Sequence, residues 1–146
     1  MKPRLLDINV LLALAWPAHV HHRQAQEWFA RNRIAGFRTC PLTQLGFVRI
    51  SCNPNFTASA VPPASALALL NRMTALPEHG FWPDDLPLDQ AIHAEELLVG
   101  HRQVTDAYLL ALAQSHGGII TTLDRGMLSA AGTRTQLVEL LQGHNS

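Results

Sequence analysis

The sequence predicts an α/β fold with a central, mostly parallel sheet, and three observations lead to this prediction. The chain of 146 residues has the size of one compact domain, and its hydrophobic fraction of 47% supplies a sizeable core. Short apolar runs alternate along the chain with segments of helical periodicity. Asp, Pro and Gly stand at the transitions between them, where helices start and stop. Strands that alternate with helices in this way form a parallel sheet covered on both faces.

The predicted strands are the short apolar runs, and they cover residues 4–7, 37–40, 81–82, 119–123 and 136–140. The predicted helices cover residues 10–15, 21–33, 41–49, 62–76, 88–98 and 105–116. Pro17 and Pro77 each end one of these helices, and Pro41 opens another. We expect Gly100 to close the 88–98 helix as a left-handed cap.

Composition narrows the class of protein. The formal net charge of zero argues against a protein that grips nucleic acid through bulk electrostatics, although ten of the eleven basic residues are Arg, which suits phosphate. The chain has no apolar run long enough to span a membrane, and Asp7 interrupts any signal-peptide core. We therefore expect a cytoplasmic protein. Cys40 and Cys52 lack the spacing of a metal motif, so ordinary buried thiols are favoured over a disulfide or a zinc site.

Three aspartates occupy equivalent places along the predicted fold. Asp7 ends the first strand, Asp124 ends the 119–123 strand, and Asp106 opens a helix just after a loop. Each alone is explained as a helix cap. Together they point to a site, because ligands of parallel sheets bind beyond the carboxyl ends of the strands. Carboxylates about 4 Å apart repel by roughly 4 kcal/mol per pair at moderate dielectric, so a cation or protons must relieve them. Oxygen ligands suit Mg²⁺ or Mn²⁺.

Four segments of the chain resemble, in order and spacing, the successive blocks of a PIN-domain toxin of the VapC family. These are LLDINVL at 5–11, PLTQLGFVR at 41–49, VTDAYLL at 104–110 and TTLDRG at 121–126. The resemblance implies one PIN domain over residues 1–146, with its core at about 4–141 and a Rossmann-like three-layer α/β/α sandwich. It also implies a Mg²⁺- or Mn²⁺-dependent endoribonuclease that leaves 5′-phosphate products. The implied partners are RNA, a VapB-type antitoxin and a second copy of the chain.

The resemblance maps functional positions onto this sequence residue by residue. The metal-site positions are Asp7, Asp106 and Asp124. The supporting positions, which can orient ligands or water, are Asn9, Thr43 and Thr122, and the candidates for RNA-phosphate contacts are Arg49 and Arg125. Gln44 departs from the pattern, because most of the family has Glu at this catalytic position. An amide oxygen still accepts hydrogen bonds but brings no charge. Tight metal binding by the isolated protein is therefore in doubt.

The sequence gives less support to several alternative functions and sites. A dehalogenase-like phosphatase needs a second Asp where this chain has Asn9, and both it and a receiver domain need a Lys, whereas Lys2 is the only one. A catalytically degenerate PIN domain that binds RNA or a partner stays open because of Gln44. His19, His21 and His22 lack acids or Cys at zinc-ligand spacing, so a polar helix entry is favoured over a zinc site.

Two further groups of residues are not expected to act in catalysis. His101 is expected to be a solvated loop residue rather than a general base. Trp16, Trp28 and Trp82 are expected in the core or at an interface, because their apolar surface explains them.

Overall fold

A parallel sheet of five strands forms the centre of the molecule. The computed structural model describes residues 2–92 and 100–141, excepting the side chain of Arg102. The strands are β1 (Arg4–Leu6), β2 (Phe37–Thr39), β3 (His79–Phe81), β4 (Ile119–Thr122) and β5 (Val138–Leu140). Their order is β3-β2-β1-β4-β5, and every neighbouring pair is parallel. The prediction of an α/β fold on a mostly parallel sheet is confirmed.

The helices follow the strands in the predicted alternation. They are α1 (Ile8–Ala15), α2 (His22–Asn32), α3 (Pro41–Ser51), α4 (Pro63–Thr74), α5 (Leu88–Ala91), α6 (His101–Ser115) and α7 (Gly126–Ala131), with short 3₁₀ turns at Arg33–Ala35 and Thr135–Leu137. Pro41 opens α3 as predicted, and α1 ends before Pro17. Helix α7 was not predicted. No helix in residues 2–92 and 100–141 combines the length and apolar character of a membrane span.

The strand order changes direction between β1 and β4. The chain lays down β2 and β3 on one side of β1, and then crosses to place β4 and β5 on the other side. The carboxyl ends of β1 and β4 therefore lie together at a topological switch point, where parallel sheets form a crevice. Leu6 of β1 pairs with Thr121 of β4. Asp7, the residue after β1, therefore lies level with Thr122, the last residue of β4.

Two hydrophobic cores lie against the two faces of the sheet. Consecutive residues of β1 show the division, because Leu5 packs into one core and Leu6 into the other, as alternating side chains of a strand must. The Leu6 core is completed by α1 to α4, with Val10 and Trp28 among its members. The Leu5 core is completed by α6 and α7, with Leu110 among its members. The three-layer arrangement is thus confirmed, and Trp28 is a core residue as expected.

Three predictions about the second half of the chain are wrong. Gly100 has φ 174°, which is extended backbone, and it precedes α6 instead of forming a left-handed cap. The helix begins at His101, so His101 is an exposed helical residue and not a loop residue. Because α6 begins at His101, Asp106 lies in the second turn of the helix and does not open it. The predicted helix at 88–98 is seen as α5, and its residues 93–98 lie outside the described part of the chain.

Helix α3 packs closely against the start of α1 through Gly46. A Cβ atom on Gly46 would stand 2.2 Å from Cδ1 of Ile8, the residue that follows Asp7. Ile8 therefore fills the space that a side chain at position 46 would need. This contact places the first half of α3, which includes Gln44, beside the carboxyl end of β1.

We predict that Gly46→Ala destabilises the fold. The added methyl meets Ile8, and overpacking of this kind costs about 1–3 kcal/mol, which outweighs the gain of about 1 kcal/mol that Ala brings to a helix interior. Urea denaturation measures the difference. The double variant Ile8→Ala/Gly46→Ala should recover stability relative to Ile8→Ala alone. If Gly46→Ala by itself is stabilising, the Ile8 side chain moves aside freely and does not set the spacing of α1 and α3.

Candidate active site

Asp7 is a buried carboxylate at the carboxyl end of β1. It is only 7% exposed. Its Oδ1 accepts a hydrogen bond of 2.8 Å from the backbone N–H of Ile8, which caps α1, and its Oδ2 accepts one of 2.7 Å from the hydroxyl of Thr122. Burial raises the pKa of Asp7, and the charge of Asp124 adds to this, while the two hydrogen bonds oppose it. Asp7 is therefore held in one position by both of its oxygens.

The hydroxyl of Thr122 joins the ends of the two central strands. This side chain is fully buried, donates to Asp7, and accepts a hydrogen bond of 3.0 Å from the backbone N–H of Asp124. Asn9 contributes a longer contact of 3.4 Å to the same hydroxyl, and its Oδ1 accepts from the N–H of Leu123 at 3.1 Å. Thr122 and Asn9 thus fix the loop that presents Asp124 relative to the carboxylate of Asp7.

The three aspartates of the sequence prediction act on one another through their charges. Asp106 is half-buried on α6, and burial, followed by the charges of Asp7 and Asp124, raises its pKa to about 6. Asp124 is exposed, and its Oδ1 accepts a hydrogen bond of 2.8 Å from the N–H of Gly126 at the start of α7. The fold therefore brings acids from β1, α6 and the end of β4 into electrostatic contact.

These acids suit a cation without enclosing one. Within residues 2–92 and 100–141, no three His, Cys, Asp or Glu side chains stand close enough together to hold a metal ion between them. Mg²⁺ binds through one or two carboxylates and keeps several waters, so it does not require three such side chains. Burial is the main cause of the raised pKa of Asp106, and the negative charges of Asp7 and Asp124 add to it. The donor set therefore fits a hydrated divalent ion.

Gln44 lies in the first turns of α3, and its amide forms a hydrogen bond with a side chain of the neighbouring strand β2. Its Nε2 donates a hydrogen bond of 3.0 Å to the hydroxyl of Thr39, the last residue of β2. Thr43, the neighbouring residue, is fully buried and caps α3, because its hydroxyl accepts from the N–H of Cys40 and donates to the carbonyl of the same residue, both at 3.0 Å. Thr43 therefore sets the start of the helix that carries Gln44.

The two arginine candidates are exposed. Arg125 directly follows Asp124 at the start of α7. Arg49 lies near the end of α3, five residues after Gln44 and so about 140° around the helix. Arg125 is thus adjacent to the carboxylate edge, whereas Arg49 does not share the face of Gln44.

The histidine-rich turn before α2 is a structural feature. His22 is the first residue of α2, and its Nδ1 lies 2.7 Å from the carbonyl oxygen of Ala13. His19 accepts a hydrogen bond of 3.0 Å at Nδ1 from the backbone N–H of His21. These contacts tie α1 to α2, in agreement with a polar helix entry. Cys40 and Cys52 are both free thiols.

Sequence reasoning missed two residues that adjoin the candidate site, Thr39 and His79. The Thr39 hydroxyl lies 2.7 Å from Nε2 of His79 on β3, in addition to its contact with Gln44. Thr39 stands at the carboxyl end of a strand, as Asp7 and Asp124 do, and this placement was a usable signal. His79 gave no such signal, because its contact depends on the pairing of β2 with β3.

Comparisons with known proteins agree with this geometry. A family model described as the PIN domain matches residues 4–132. The chain is 45% identical to Ribonuclease VapC39 of Mycobacterium tuberculosis over 94% of its length and 98% of that protein's length. It is 46% identical to Ribonuclease VapC38 of the same organism over 94% of this chain and 96% of the relative. Ribonuclease VapC29, also of this organism, is 41% identical over 92% and 95% of the two chains.

A solved structure supports the fold independently. The crystal structure of PAE2754 from Pyrobaculum aerophilum matches with a TM-score of 0.58, at 22% identity, over 88% of this chain and 79% of that one. At this identity the likeness concerns the fold alone. The matches at 41–46% identity are more specific, because they cover 92–94% of this chain. The chain therefore belongs to the PIN-domain family and, within it, to the VapC proteins.

Proposed function

We propose that this protein is the toxin of a toxin–antitoxin pair and cleaves RNA as a divalent-metal-dependent endoribonuclease. The observation that supports this most directly is the electrostatic coupling of Asp7, Asp106 and Asp124 at the switch point of a PIN-family sheet. Relatives that match along nearly the whole chain are named ribonucleases. The catalytic carboxylates of the proposal are these three aspartates.

Asp7, Asp106 and Asp124 would hold Mg²⁺ or Mn²⁺. When bound, such an ion polarises the phosphodiester and makes water a stronger nucleophile. Thr122 and Asn9 keep Asp7 and the Asp124 loop aligned, while Gln44 offers an amide group instead of a fourth charge. Arg125 and Arg49 are proposed to contact RNA phosphates. Hydrolysis with departure of the 3′-oxygen leaves a 5′-phosphate product.

We also propose the domain extent, the partners and the cellular location of the protein. We infer one PIN domain over residues 1–146, with its core at about 4–141, that acts in the cytoplasm as a homodimer. RNA is the substrate, and a VapB-type antitoxin is the neutralising partner. An antitoxin segment with a basic side chain is complementary to the three acids.

A second candidate function is a degenerate PIN domain that binds RNA or a partner without cutting it. The hydrogen bond from Gln44 to Thr39 favours this alternative, because it engages the amide nitrogen with a side chain of β2 and not with one of the three aspartates. Cleavage that appears only when Mg²⁺ or Mn²⁺ is added to the purified protein excludes the alternative.

The first test replaces the three acids one at a time. We predict that Asp7→Asn, Asp106→Asn and Asp124→Asn each reduce cleavage of a fluorescent RNA by at least about 100-fold, because each removes a charge that holds the ion. Asp89→Asn, on the exposed surface of α5, is the matched control and should cut normally. Full activity in any two of the three site variants contradicts the assignment.

The second test concerns stability without metal. The pKa of Asp106 is raised to about 6 in the folded protein, so its ionised form destabilises the fold above that pH, and the effect disappears as pH falls toward the ordinary value of 3.8. Asp106→Asn should therefore raise the free energy of unfolding by about 1 kcal/mol at pH 7.5, after the half-exposed position is discounted for solvent screening. Urea titrations with chelator at pH 7.5 and pH 4 measure the difference. An equal gain at both pH values would show that charge is not the cause.

The third test addresses the missing charge at position 44. A carboxylate there should strengthen Mn²⁺ binding by roughly 1–2 kcal/mol net, or about tenfold for each 1.4 kcal/mol. Calorimetric titration of Mn²⁺ into wild type and Gln44→Glu measures the change, with the exposed Gln90→Glu as the control. Equal affinity in all three proteins would place residue 44 beyond the influence of the ion.

A further inference from the structure

A surface depression of about 600 Å³ lies beside the first residues of β2 and β3. Its polar and glycine lining consists of Arg33, Gly36, Arg38, Glu78 and His79. Residues 36 and 78 directly precede β2 and β3, so the depression lies toward the amino ends of these strands. The aspartates of β1 and β4 follow the carboxyl ends of their strands, and all neighbouring strands are parallel. The depression therefore lies at the opposite edge of the sheet.

The guanidinium group of Arg38 is held in a defined place beside this depression. Its Nη1 donates a hydrogen bond of 3.1 Å to the carbonyl oxygen of Phe37. A Cβ atom on Gly80 would stand 2.7 Å from Nε of Arg38 and 2.9 Å from Cζ, so the guanidinium lies directly over the backbone of β3. A Cβ atom on Gly36 would stand 3.2 Å from Nη1. The absence of a side chain at position 80 therefore makes room for this group.

The remaining N–H groups of Arg38 are available to a ligand. Among the residues that the structure describes, no Asp or Glu forms an ion pair with Arg38. Its Nε and Nη2 have no hydrogen-bond partner there, and both are accessible, since the buried unpartnered nitrogens in that part of the chain belong to Arg4 and Trp28. Nε and Nη2 lie on the same side of a guanidinium, where they present two parallel N–H groups.

The depression also carries an excess of positive charge. Arg33 is paired with Glu78, whose Oε1 accepts from Nε at 3.0 Å and from Nη2 at 2.7 Å. This pair leaves the charge of Arg38 uncompensated. Burial lowers the pKa of His79, and the positive charge of Arg38 adds to this effect. The ring of His79 is therefore close enough to respond to a change of charge at Arg38.

We propose that this depression binds a phosphate group, with Nε and Nη2 of Arg38 as its main donors. Two parallel N–H groups match two oxygens of a phosphate. A phosphate keeps further oxygens for Arg33, whose Nη1 forms no hydrogen bond within the described residues, whereas both oxygens of a carboxylate are used by Arg38. The phosphate is either a free anion or part of an RNA backbone, and the second source rests on the proposed function.

Two variants separate the position of the guanidinium from its charge. Arg38→Gln removes both, whereas Gly80→Ala retains the charge and places a methyl group where Nε and Cζ of Arg38 now lie. Each should weaken phosphate binding by about tenfold, because each removes the paired charge-assisted hydrogen bonds. Arg72→Gln, at an exposed position of α4 outside the depression, is the matched control and should bind phosphate as wild type does.

The experiment is an NMR titration with inorganic phosphate at constant ionic strength, which follows the Arg38 Nε–H signal and the ring of His79. Saturable shifts of both signals are expected, together with a raised pKa of His79, since bound negative charge offsets that of Arg38. Acetate is titrated in parallel as a carboxylate probe. In a second arm, a short single-stranded RNA is added with chelator, so that it stays intact.

The absence of shifts with phosphate, equal shifts with acetate, or wild-type affinity in Arg38→Gln overturns the inference. Wild-type affinity in Gly80→Ala also overturns it, because attraction by charge alone would then suffice. If this variant does not fold, as circular dichroism will show, Arg38→Gln and its control carry the test. Shifts with both ligands identify the RNA backbone as a source, and shifts with inorganic phosphate alone identify a free anion. Since cleavage is not measured, an inactive protein would refute the proposed function alone.

Discussion

The burial of the Asp7 carboxylate is the constraint on which the rest of the site depends. A carboxylate that is only 7% exposed must be compensated, and here one hydrogen bond comes from the start of α1 and the other from Thr122 at the end of β4. Since Thr122 also receives the N–H of Asp124, the same contact that stabilises Asp7 fixes the second acid. The parallel pairing of β1 with β4 makes this geometry possible, because it brings both carboxyl ends to one edge.

Asp7 and Asp106 differ in how their surroundings affect their pKa. Asp7 accepts two hydrogen bonds that oppose the effect of burial on its pKa, whereas every cause that acts on Asp106 raises its pKa. Burial is the largest of the causes that act on Asp106, and the charges of Asp7 and Asp124 follow. A cation bound here would offset the contribution of the neighbouring charges to the pKa of Asp106, so that its binding would be coupled to the ionisation of this half-buried side chain.

Much of this arrangement could be predicted from the sequence, and what could not has a physical reason. The alternation of strands and helices predicts a parallel sheet, and a parallel sheet places Asp7 and Asp124 at one edge. The start of α6 was misplaced because its first turn carries no apolar stripe, and α7 was missed because a helix of six residues beginning at Gly126 gives almost no periodic signal. Periodicity identifies long amphipathic elements and not short ones.

The contacts of Gln44 could not be predicted from the sequence for a different reason. They depend on which strand pairs with β2 and on the rotamers of three side chains, and neither is encoded in local spacing. The sequence blocks identify position 44 as the place where a charge is missing, but only the packed structure gives the amide a direction. Gly46 and Ile8 hold α3 against α1, Thr43 fixes the start of α3, and Thr39 anchors the amide. The contacts that hold Gln44 therefore come from the packing of α3 against β2, which no local sequence pattern specifies.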